Sequence, residues 1–128
     1  MKRTLLLAIC LVALTLQVFA QDSFTTKPDE RAVNIAKKFI AAWQKGDKIS
    51  AGKFGSPEAV KKMFSLNSAA NEKIEFDRTE YLPKEKRWNY LFVLTNTENI
   101  FGLHFIKIKR SFRIVAVEFY FPTTREPI

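Results

Sequence analysis

Trp88-Asn89-Tyr90-Leu91-Phe92-Val93-Leu94-Thr95 decides the fold. Aromatic and β-branched residues crowd it, it is too short for a stable helix, and turn-forming residues flank it. It therefore predicts a strand. Pro83-Lys84-Glu85-Lys86 precedes it as a turn, and Asn96-Thr97-Glu98-Asn99 follows as another. The same signature recurs downstream in Phe101–Ile108 and Phe112–Phe121, with Pro122 as the stop. Upstream, Ile74 and Phe76 alternate with Glu75 and Asp77, which predicts a strand running toward Leu82. Four strands joined by short turns form an antiparallel meander.

The segment ahead of the strands carries helical spacing. Ala32, Val33, Ile35, Ala36, Phe39, Ile40 and Trp43 make one apolar stripe. Pro28, Asp29 and Glu30 suit its positive end, Lys45 suits its last turn, and Gly46 ends it. Asp47 caps a short second helix carrying Ile49 and Phe54, a pattern weakened by Gly52 and Gly55. Ser56-Pro57-Glu58 opens a further helix with Ala59, Val60, Met63 and Phe64 on its apolar side. Gln21–Lys27 reads as a polar lead-in, and Asn67–Asn71 as a loop. Helices first and then a meander give the α+β class, with N-terminal helices packed on a curved four-stranded antiparallel sheet.

Residues 1–20 stand apart. Met1-Lys2-Arg3 is basic, Leu5–Leu16 is apolar apart from Thr15, and Val18-Phe19-Ala20 places small residues three and one before Gln21. This is the layout of a cleavable secretory signal, cut near Ala20-Gln21. The apolar run is shorter than the roughly 20 residues of a membrane anchor. Cys10 lies inside the run and is the sole cysteine. The mature chain, residues 21–128, then forms one secreted or periplasmic domain without disulfide, thiolate or cysteine metal chemistry. Its core must come from apolar residues, and the chain's 12 phenylalanines, all but Phe19 of them beyond the leader, make that feasible with Trp43 and Trp88.

Both faces of the later strands are apolar, so each needs a cover. Matching like with like pairs Val93 with Leu103, Leu91 with Phe105, Phe105 with Val115 and Leu103 with Val117. One face then carries Leu91, Val93, Phe101, Leu103, Phe105, Val115, Val117 and Phe119, a mainly aliphatic surface for the helices. The other carries Trp88, Tyr90, Phe92, Leu94, His104, Ile106, Ile108, Ile114, Ala116, Glu118 and Tyr120. That aromatic face suits a ligand or a second subunit, and Trp88, Tyr90, Phe92, His104, Glu118 and Tyr120 are the ligand-binding candidates. In this register Glu118 faces Gly102, diagonal to His104 and within reach of it, with open space left by the glycine. A His–Glu pair there can act as general base and orienter. The plainer reading is a satisfied core or interface histidine, and it takes precedence because a lone His without a recognised site is weak evidence. Arg78 and Glu80 break the apolar parity of Ile74 and Phe76, which calls for a bulge or a charged pair at an open edge.

The chain carries 21 basic and 13 acidic residues. Two turns at the same end of the meander gather Lys84, Lys86 and Arg87 with Lys107, Lys109, Arg110 and Arg113. Such an end can dock an anionic envelope surface, though cations also solubilise turns and discourage edge pairing. One histidine and no mature cysteine disfavour a metal site, no phosphate loop or nucleophile elbow is present, and no cofactor is expected. Aromatic and basic residues interleave as in oligonucleotide-binding sheets, but export disfavours nucleic acid as a partner.

The helix end Ala41-Ala42-Trp43-Gln44-Lys45-Gly46-Asp47, followed by Trp88–Leu94, Phe101–Ile108 and Arg113–Phe119, resembles small exported domains of the nuclear transport factor 2-like superfamily. That is the cone-shaped fold shared with ketosteroid isomerase. The resemblance implies helices packed into a curved sheet, a pocket between the two, and often a homodimer. A pocket there would reverse the two face assignments. The isomerase's catalytic Tyr and Asp map onto no position here. Cystatins share the outline, but their Gln-x-Val-x-Gly hairpin is replaced by Leu94-Thr95-Asn96-Thr97-Glu98-Asn99. The leading expectation is a non-enzymatic exported binding or accessory domain, taking a small apolar ligand or a partner. The alternatives are a small enzyme using His104 and Glu118, and an envelope-docking protein using the basic end.

Overall fold

The computed structural model describes residues 23–66 and 72–120. The expected leader and its cleavage point, the loop at 67–71 and the stop at Pro122 lie outside the described residues. The elements are β1 (Phe24–Thr26), α1 (Glu30–Gln44), α2 (Lys48–Ala51), α3 (Pro57–Ser65), β2 (Ile74–Leu82), β3 (Arg87–Leu94), β4 (Asn99–Ile108) and β5 (Ser111–Tyr120). The strands form one antiparallel sheet in chain order. The α+β class is as expected, but the sheet has five strands instead of four. The polar lead-in supplies the extra one, with Phe24 opposite Tyr81 and Thr26 opposite Thr79. A three-residue strand is too short to show a period. It forms because the neighbouring edge of β2 offers unpaired backbone groups.

Local chemistry sets the helix ends. Asp29 caps α1, its carboxylate accepting from the Arg31 backbone N–H at 2.9 Å. Gly46, at φ +72°, takes the left-handed turn after α1 while its N–H donates to the Trp43 carbonyl at 3.0 Å. Asp47 caps α2 through Ser50, and Ser56 caps α3 through the Ala59 N–H. Ala32, Ala36, Phe39, Ile40 and Trp43 are the buried stripe of α1. Ile49 departs from expectation at 84% exposure. In so short a helix only one side meets α1, and Ala51 occupies it.

The β3–β4 register corrects the face assignment. Val93 lies opposite Ile100, Leu91 opposite Gly102 and Trp88 opposite Phe105. The offset from the expected pairing is odd, so β3 turns its other side to the core. The turn explains it. Leu94 pairs with Asn99, and the Glu98 N–H donates back to the Leu94 carbonyl at 2.9 Å. The expected pairing would have left Ile100 in the turn, whereas here it is buried. Between β4 and β5, Leu103 pairs with Val117 as expected. A bulge after His104 then sets Phe105 opposite Ile114 instead of Val115.

Trp88, Tyr90, Phe92 and Leu94 therefore join Phe101, Leu103, Phe105, Ile114, Val117 and Phe119 in the core with α1 and α3. The aromatic side packs inward because large rings gain most from leaving water. Phe92 stacks on Phe101 at 5.7 Å, and Trp43 of α1 meets Phe101 at 6.3 Å. The opposite side carries Asn89, Leu91, Ile100, Gly102, His104, Ala116, Glu118 and Tyr120. A bulge between Phe76 and Arg78 adds Arg78 and Glu80 to that side, and the two pair at 3.1 Å. The edge of β2 is covered at Glu80, which pairs with Thr25, and Arg78 lies just beyond the covered stretch.

Backbone bonds tie the α2–α3 loop to β5. The Ser56 N–H donates to the Ile114 carbonyl at 2.8 Å, and the Ile114 N–H to the Phe54 carbonyl at 3.0 Å. Gly55 permits this approach, because a Cβ there would sit 2.9 Å from the Phe39 ring.

Candidate functional site

On the side of the sheet away from the aromatic core, the register gathers four polar side chains. Gly102 lies opposite Glu118, and Asn89 lies opposite His104. The space expected beside Gly102 is filled. The Asn89 amide lies over the glycine, and a Cβ at 102 would fall 2.1 Å from Asn89 Oδ1. Asn89 Nδ2 donates to the Tyr120 hydroxyl at 3.3 Å, and that hydroxyl donates to Glu118 Oε2 at 2.8 Å. Burial and the bond to Glu118 push the Tyr120 phenol well above its ordinary range. It stays protonated and serves as a donor.

His104 is 2% exposed. Its Nε2 lies 3.9 Å from Glu118 Oε1, too long for a hydrogen bond, and neither ring nitrogen has a partner. Burial pulls its pKa below the usual imidazole value; Glu118 opposes this and Arg87 reinforces it. The ring is neutral at pH 7. The expected His104–Glu118 pair is thus brought together, but the adjoining cavity of about 180 Å³ is lined by Arg78, Glu80, Asn89, Leu91, Ile100 and Tyr120. Neither member of the pair is on its wall.

This burial has a consequence for pH dependence. The unfolded chain protonates His104 near pH 6.5, whereas the folded chain does so at lower pH. The unfolded state therefore binds more protons in that window. His104's contribution is present above about pH 6.5 and is lost as pH falls through the folded value. Urea midpoints at pH 7.5 and 5 are expected to drop more for the wild type than for His104→Phe. Equal drops would mean that His104 does not titrate differently on folding.

The six ligand-binding candidates do not form one site. Trp88, Tyr90 and Phe92 lie in or against the core, whereas His104, Glu118 and Tyr120 lie on the reverse of the sheet. The odd register offset that separates them leaves no mark in a sequence apolar on both sides.

The basic residues are divided as well. The turns holding Lys84, Lys86, Lys109 and Arg110 share an end of the sheet, as the meander requires. Lys107 lies 6.0 Å from the Phe112 ring centroid, and Arg31 joins this end through the Arg110 carbonyl at 3.4 Å. Arg87 is half-buried and acts on His104. Arg113 leaves the group, its Nη2 donating to the Gly55 carbonyl at 3.2 Å.

Arg113 instead belongs to the largest of the described cavities, a groove of about 580 Å³ between α2, α3 and β5. Lys48 and Lys61 stand on its wall with Pro57, Val60 and Phe64. Among the described residues no His, Asp or Glu lines it, and the hydroxyl of its Ser65 donates to the Lys62 carbonyl. The sequence reading missed this groove, apart from Arg113. Its available signal was the apolar side of α3, wider than the buried pair Ala59 and Met63 requires.

Among the described residues no cluster of His, Cys, Asp and Glu is arranged to hold a metal ion. No described helix is long and apolar enough to cross a membrane. Fold and cavities together define an α+β domain with a cationic, apolar-walled groove and a partly buried polar network on the reverse of its sheet. No family model, curated protein or solved structure matches the chain.

Proposed function

We propose that this protein is an exported, non-enzymatic binding domain whose ligand sits in the groove between α2, α3 and β5. One observation carries the reading: the largest of the described cavities joins apolar side chains to three cations and, among the described residues, offers no carboxylate or imidazole for acid–base work. His104 and Glu118 support the same conclusion, since the imidazole is enclosed and the adjoining cavity is walled by other residues. Export rests on the leader layout of residues 1–20. Helices preceding an antiparallel meander agree with the nuclear transport factor 2-like resemblance, although the groove is bounded by two helices and a strand at one side of the core.

Native mass spectrometry of the purified protein tests the reading. A retained small molecule is expected on the wild type, absent from Val60→Trp, whose indole would fill the groove. A wild type carrying no adduct, or an adduct that persists in Val60→Trp, would overturn it.

A further inference from the structure

The groove has a chemistry specific enough to name a class of ligand, and the inference rests on the binding reading above. Its cations come from three elements: Lys48 from α2, Lys61 from α3 and Arg113 from β5. Among the described residues, no carboxylate lies within ion-pair distance of any of them. Three like charges around one opening raise its potential and favour an anion. Arg113 is fixed there, since one of its five N–H groups is held by the Gly55 carbonyl. Gly55 itself is held by the backbone ties of the α2–α3 loop to β5. Lys48 Nζ lies 5.8 Å from the centroid of the Phe64 ring, so charge and apolar surface meet within one ring's width. Val60 and Phe64 are half-buried, with part of their surface still available.

A simple anion would satisfy the cations and leave that apolar surface wet. A neutral hydrocarbon would do the reverse. The volume of about 580 Å³ lies within the roughly 300–1,000 Å³ usual for small-molecule sites. We infer that the groove binds an amphipathic anion, a carboxylate or phosphate monoester on an apolar body, with its head at Lys48, Lys61 and Arg113 and its body against Pro57, Val60 and Phe64.

Isothermal titration calorimetry with decanoate, decyl phosphate, decanol, decyltrimethylammonium and acetate, each below its micellar range, separates the outcomes. Decanoate and decyl phosphate are expected to bind one per chain, and acetate and decyltrimethylammonium not to bind. The Lys48→Glu/Lys61→Glu variant is expected to lose at least about tenfold in affinity for both anions. Both side chains are exposed, so the fold should survive, and circular dichroism checks this. If the pair misfolds, Lys61→Gln alone should weaken both anions and leave any decanol binding unchanged. Decanol binding as tightly as decanoate, or an unchanged affinity in the charge variants, overturns the anionic class while the groove reading stands. Failure of every probe, together with an adduct-free wild type, overturns both.

Discussion

Phe101→Ala is expected to lower the unfolding free energy by about 3–5 kcal/mol, the usual cost of emptying a buried aromatic site. Phe101 is fully buried. It stacks on Phe92 of β3 with the planes 17° apart, and it meets Trp43 of α1 at 6.3 Å. One side chain therefore joins two strands to the principal helix, and its loss opens a cavity bounded by rings too large to close it. Total stability of a domain this size is about 5–15 kcal/mol. The chain has one cysteine, Cys10, within the expected leader, so no intrachain disulfide can offset the loss. Each kcal/mol corresponds to roughly 4–8 °C, so the melting temperature should fall by more than about 12 °C. Urea denaturation should show a lower midpoint with an unchanged slope. Ile49→Ala is the control; at 84% exposure it should stay within about 0.5 kcal/mol of the wild type. A Phe101→Ala loss below about 1.5 kcal/mol would contradict the packing that places this ring at the centre of the core.

Phe101 also marks how far the sequence could be read. Its assignment to the helix-packing side is correct, as are those of Leu103, Phe105, Val117 and Phe119. The caps at Asp47 and Ser56 were legible because capping is a local matter of side-chain oxygens and nearby N–H groups, whereas Asp29, expected as an acid of the first turn, is itself the cap of α1. The register of β3 was not. Its two sides, Trp88-Tyr90-Phe92-Leu94 and Leu91-Val93, are both apolar, so alternation gives no preference, and the length of the following turn decides. The bulge after His104 carries no glycine or proline to announce it, whereas the one after Phe76 shows as the broken parity at Arg78 and Glu80.

The site divides in the same way. His104 and Glu118 were legible as a pair because Gly102 and Glu118 stand on the regular side of the bulge, where the expected β4–β5 pairing holds. The groove was not. Lys48, Lys61 and Arg113 are far apart in sequence and meet only because the loop at Phe54–Ser56 is bonded to Ile114. Nothing local encodes that meeting beyond Gly55, whose missing side chain admits Phe39.

Gly102→Ala is expected to cost about 2–5 kcal/mol, combining overpacking with the polar groups it would orphan. Gly102 does not have a positive φ, so the strand backbone accepts alanine readily. The difficulty is space. The new Cβ would fall 2.1 Å from Asn89 Oδ1 and 2.8 Å from its Cγ, and Asn89 is 3% exposed. The amide would have to leave, taking its bond to the Tyr120 hydroxyl with it. Asn89→Ala alone should cost less, about 1 kcal/mol, because it surrenders one long hydrogen bond and also removes an Oδ1 that has no partner. In the double variant the alanine methyl at 102 enters the volume the amide has vacated. Its total cost should then lie near that of Asn89→Ala, with a favourable coupling of about 1–3 kcal/mol in a urea-denaturation cycle. Two costs that simply add would mean that Asn89 does not occupy the space over Gly102. The Asn89–Tyr120–Glu118 chain would then need another explanation than the missing side chain at its centre.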